Sequence, residues 1–159
     1  MNKKILVLLV FVVIASMSTA FAFDLNNVSN ALSSDNSTNT TVTISNIKFK
    51  IPEGFKEVSN ETIKNEPSDN PYLNYIESSK TYANASGAGI IIDVTTSDLK
   101  ANDSFAEAAS LGGNKTTING VSGYTYSDPG FEGFSFSKDG QLVIISTTNK
   151  QLLNDVVMA

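Results

Sequence analysis

The stretch TINGVSGYTYSDPGFEGFSFSKDGQLVIIS, residues 117–146, decides the fold. Asn119-Gly120 and Asp139-Gly140 punctuate it, with Asp128-Pro129-Gly130 between them, and the runs so divided alternate apolar or aromatic residues with small polar ones. Asn-Gly and Asp-Gly accept the positive φ angles of two-residue hairpin turns, and alternation with period two sends one set of side chains to a single face of a strand. The text therefore predicts four consecutive strands, near 115–118, 121–126, 131–136 and 142–148. The glycines at these turns need no ligand to explain them.

Upstream, NDSFAEAASLGG (102–113) changes to a helical period. Phe105, Ala108 and Ala109 share one face, Ser104 with Glu107 fits a capping box, and Gly112-Gly113 ends the helix. Before it, GIIIDVTT (89–96) is apolar and β-branched enough for a central strand, and it pairs across the loop ANASGA with a strand over 72–82. The polar text ending in NEPSDNP reads as a long surface loop with one short helical turn. In VTISNIKFKIP (42–52) the apolar parity slips by one at Ser45-Asn46, which fits a strand pair or a bulged strand. Downstream, Asn149 caps a closing helix whose Leu152, Leu153, Val156 and Val157 form an apolar stripe. The element order predicts an α+β domain over 42–159: a twisted antiparallel β-sheet with two short helices packed on one face.

The 159-residue chain carries a formal net charge of −5, and its eleven basic residues are all lysine. Without arginine it lacks the planar fork that reads phosphates and guanine edges, so no nucleic-acid partner is expected. It has no cysteine and no histidine, which removes disulfides, thiolate nucleophiles, the commonest general base and the commonest metal ligand. We expect no cofactor and no metal.

Residues 1–22, MNKKILVLLVFVVIASMSTAFA, have two lysines, an apolar core and the small-x-small triplet Ala20-Phe21-Ala22, the pattern of a cleaved signal peptide. Residues 23–41, rich in Ser, Asn and Thr, then form a spacer before the domain. The expected location is secreted or cell-surface. The alternative is an uncleaved anchor at residues 5–23, the one case in which a membrane is a partner. Seven Asn-x-Ser/Thr sequons, at Asn27, Asn36, Asn39, Asn60, Asn84, Asn102 and Asn114, are glycosylation candidates.

Few residue patterns in the chain point to catalysis or metal binding. Ser-x-x-Lys occurs at Ser45/Lys48 and Ser135/Lys138, but both lie in strand text rather than at a helix start, where that pair activates serine. Asp93, Asp98, Asp103 and Glu107 form a loose acidic run without calcium-loop spacing. Tyr124 and Tyr126 share a strand parity with Ser122 and form the candidate binding pair on the surface. The expected function is a non-catalytic domain that binds a protein or cell-envelope component. The alternative is a small extracytoplasmic hydrolase using carboxylates or a Ser-Lys pair.

The segments ISNIKFKIPEGFKEV, TINGVSGYTY and FSFSKDGQLVIIS, with an apolar helix after the last, resemble small extracytoplasmic archaeal proteins of unknown function. Their layout is similar to the PsbP and Mog1 fold. The resemblance covers 42–159, implies protein binding or stabilisation, and brings no catalytic residue with it.

Overall fold

The computed structural model describes residues 39–58, 66–67 and 75–159. The expected signal segment, nearly all of the spacer, most of the polar loop, and sequons Asn27, Asn36 and Asn60 lie outside the described residues. No helix among those described is long and apolar enough to cross a membrane.

The parity slip at Ser45-Asn46 is a two-residue turn. Both residues have left-handed φ, 46° and 70°, and they join β1 (Thr40–Ile44) to β2 (Ile47–Ile51) as a hairpin. β1 takes in Thr40 and Thr41, which the sequence reading gives to the spacer. β3 (Lys56–Glu57) and β4 (Glu66–Pro67) both pair with β5 (Tyr75–Ala83), which forms a hairpin with β6 (Gly89–Ser97). Helix α1 (Asp103–Ala109) follows, then the meander β7 (Asn114–Ile118), β8 (Val121–Asp128), β9 (Phe131–Lys138) and β10 (Gln141–Thr147), and last α2 (Lys150–Val156).

The main sheet runs β3-β5-β6-β10-β9-β8-β7, every pairing antiparallel. The α+β architecture and the central place of β6 agree with the sequence reading. The placement of the helices does not. Along β10, Leu142 and Ile144 pack with Phe105, Ala106 and Ala109 of α1, whereas Val143 and Ile145 pack with Leu153 and Val156 of α2. Successive strand residues point to opposite faces, so the two helices cover opposite faces of the sheet, not one. The cause lies in β10, which buries Leu142 and Ile144 on one face and Val143 and Ile145 on the other and so requires cover on both, while β6 adds Ile90, Ile92 and Val94 to the α2 face and only Ile91 beside polar residues to the other. The β1–β2 hairpin shares the α2 face through Ile47, Phe49 and Ile51.

Local details refine the helices. Asn102, not Ser104, caps α1, its Oδ1 accepting from Ser104 N at 3.0 Å. The buried stripe is Phe105, Ala106 and Ala109, with Ala108 half-buried. The Ser135 hydroxyl, fully buried, donates to Ala106 O at 2.6 Å and fixes α1 on β9. Asn149 caps α2 as the sequence indicates, accepting from Gln151 N at 2.9 Å.

Asn119 has two functions in the β7–β8 turn. Its φ of 49° serves the turn, and its Nδ2 donates to Asn154 O at 2.6 Å and Val157 O at 3.0 Å, satisfying carbonyls at the end of α2. Asn119→Gly keeps the turn backbone and removes both bonds. Denaturant titration should show a loss of about 1–2 kcal/mol, with faster amide exchange concentrated in α2.

Candidate binding cleft

Helix α1 ends before the sheet beneath it does. At its C-terminal end the chain turns through Leu111 (φ 53°) and Gly112 (φ 85°), leaving a cleft of about 560 Å³ between this turn and the ends of β8, β9 and β10. Leu111, Tyr126, Asp128, Phe131, Ser146 and Lys150 are among its walls. Its size suits a small ligand or a side chain from a partner.

Tyr126 reaches this cleft because its neighbour across the ladder is Gly133. A Cβ on Gly133 would lie 2.0 Å from the ring's Cζ and 2.3 and 2.5 Å from the two Cε atoms, so the ring lies flat on β9 where any side chain would collide. The Tyr126 hydroxyl meets Ser146 Oγ at 3.3 Å, and burial raises its pKa, with Asp93 and Asp128 adding to the shift.

Tyr124, the other half of the expected surface pair, is buried at 6 % exposure and does not join Tyr126 on an open face. It lies two residues earlier, beneath α1, and its hydroxyl donates to Asp103 Oδ2 at 2.9 Å. The Lys115 ammonium donates to the same oxygen at 2.7 Å and stands 5.5 Å from the Tyr124 ring centroid. Lys115, then Tyr124, hold the Asp103 carboxyl below its usual range, and Asp103 raises Lys115 in return. This cluster anchors the start of α1 to the sheet.

Among the sequons, Asn39, Asn102 and Asn114 are exposed and Asn84 is half-buried. Asn84 Oδ1 accepts from the Ser86 hydroxyl at 2.8 Å and from Ala88 N at 2.9 Å, shaping the β5–β6 loop.

Neither Ser-x-x-Lys match forms a pair. Ser45 sits in the β1–β2 turn and donates to Ser78 Oγ at 2.9 Å, while Lys48 is exposed on β2. Ser135 and Lys138 are three apart on β9 and point to opposite faces. The acidic run is likewise dispersed: Asp93 is buried in β6, Asp98 and Glu107 are exposed, and Asp103 is held by Lys115. Among the described residues no three acids converge on a metal position.

Asp93 belongs to the acidic run of the sequence, but its burial was not foreseen there. It is 3 % exposed; Ser79 Oγ donates to its Oδ1, and its Oδ2 has no hydrogen-bond partner among the described residues. The signal was a lone acid within the apolar run GIIIDVTT. Burial, with the nearby Glu77 adding to it and the Ser79 bond opposing, raises its pKa to about 7.

A carboxyl whose folded pKa lies above its unfolded value costs stability as pH rises from the unfolded to the folded value, because the unfolded state then releases its proton first. The penalty from Asp93 should grow between about pH 4 and pH 7 and stay constant above. Asp93→Asn removes this dependence. Its stability advantage over the parent should rise by a few kcal/mol from pH 4 to pH 8 in paired denaturation curves, and a pH-independent difference would refute the assignment.

No family model matches this chain, and neither a curated protein nor a solved structure matches it.

Proposed function

We propose that this chain works outside the cytoplasm as a non-catalytic domain that binds a protein or cell-envelope component at the cleft beside Tyr126. The carrying observation is Leu111. A bulky side chain held at φ 53° is strained, and at 69 % exposure it gains nothing from burial in return. It stands at the lip of a cleft that also presents Tyr126 and Phe131, the residue types that anchor interfaces.

The address comes from residues 1–22 as a cleaved signal segment and residues 23–41 as spacer, with the exposed sequons as glycan acceptors. The PsbP/Mog1-like layout for 42–159 belongs to the same reading and favours a protein partner. The absence of histidine and cysteine and the separation of each Ser-Lys match support a non-catalytic role.

A photo-crosslinking residue at position 111, with a control at exposed position 139, tests this in intact cells. One recurrent adduct should form from 111 alone and disappear in Tyr126→Ser. Equal capture from both positions, or adducts unaffected by Tyr126→Ser, would count against a specific cleft.

A further inference from the structure

We infer that the cleft recognises an alkylammonium group, the side chain of a lysine or a free amine, with its carbon stem along Phe131 and Leu111 and its charged head at the Tyr126 hydroxyl beside Asp128. This inference rests on the binding-domain reading and specifies the ligand chemistry.

The head position is set by charge. Asp128 shares the sheet face of Tyr126, and Asp93 lies one diagonal step across the β6–β10 ladder from Ser146, whose Oγ meets the Tyr126 hydroxyl at 3.3 Å. Asp128, and Asp93 when ionised, act on the Tyr126 hydroxyl, disfavouring a second negative charge there and favouring a cation. Neither Asp128 nor Asp93 belongs to an ion pair among the described residues, whose two pairs are Lys80–Glu57 and Lys115–Asp103. The walls complete the fit. One face of the Tyr126 ring lies on Gly133 and the ring packs at the edge of the α1 cluster, yet it also lines the cleft, where an aromatic ring attracts an ammonium as well as its methylene stem.

Other ligand classes fit less well. A metal ion requires several converging oxygen ligands, and no three acids converge among the described residues. An anion would meet one lysine, Lys150, against Asp128 and Glu132. Lys150 is exposed at the rim as the first residue of α2, and its charge opposes an incoming ammonium.

The test is a titration of the purified protein with n-pentylamine, followed by amide chemical shifts in a ¹H–¹⁵N spectrum. Its neutral counterpart pentanamide serves as the control. Pentylamine should move the resonances of Tyr126, Ser127 and Ser146 and bind about three- to tenfold more tightly than pentanamide. Asp128→Asn should erase most of that preference and Lys150→Ala should increase it. Glu132→Gln should act weakly, because Glu132 Oε2 already accepts from Ser127 Oγ at 2.8 Å and lies on the opposite strand parity. Unmoved resonances in β5 and β6 confirm that each variant stays folded. Comparison of Nα-acetyl-lysine methylamide with spermidine then separates a lysine-bearing partner from a free polyamine.

Equal binding of pentanamide, or a pentylamine response that survives Asp128→Asn, overturns ammonium recognition. The crosslink from position 111 then reports separately on whether the cleft binds a partner at all.

Discussion

The ladder between β6 and β10 is the constraint on which the molecule depends. Six residue pairs, from Thr95↔Leu142 to Ile90↔Thr147, join the β5–β6 hairpin to the β7–β10 meander. Both strands bury apolar side chains on both faces, among them Ile90, Ile92, Val94, Val143, Ile144 and Ile145 at 0–1 % exposure. Each such side chain contributes about 1.5–3 kcal/mol when fully buried, so neither face can be left to water. α1 answers that demand on one side; α2 and the β1–β2 hairpin answer it on the other. Asp93, placed within this ladder, sets a charged group against the same requirement.

The cleft follows from a mismatch of lengths. Seven residues of α1 cover about 10 Å, while the eight-residue strands β8 and β9 run for about 27 Å. The helix buries Tyr124, whereas Tyr126, only partly buried, packs at the edge of the same cluster and lines the cleft, so two tyrosines of identical parity differ in what covers them. Gly133 then makes room for the second ring.

The hairpins were legible because their turn residues carry local instructions. Asn119-Gly120 and Asp139-Gly140 adopt the left-handed angles their chemistry favours, and Ser45-Asn46 does the same with weaker residues. The β-branched run in β6 and the Asn149 cap were legible for the same reason. The sheet face chosen by each helix was not, since β10 offers Leu142 and Ile144 on one parity and Val143 and Ile145 on the other, and local sequence does not say which helix covers which. Nor was the rotation of α1, because over seven residues rich in alanine several stripes have almost equal apolarity. Parity placed Tyr124 and Tyr126 together, but the end point of a helix packed above them is a tertiary fact. Asp93 was read only as one acid of a loose run, and its burial in β6 is what sets it apart.

The β6–β10 ladder also governs how the chain reaches its native state. The pairings β1–β2, β5–β6, β7–β8, β8–β9 and β9–β10 each link neighbours in sequence and close over short turns or loops. The β6–β10 contact instead bridges about fifty residues and must offset the entropy of closing that loop before it gains any burial. That span makes β6–β10 the sheet pairing with the largest loop-closure cost in the fold. Any state in which that seam is open leaves β6 and β10 each with an unpaired, apolar edge, the kind of edge that invites strand-to-strand aggregation.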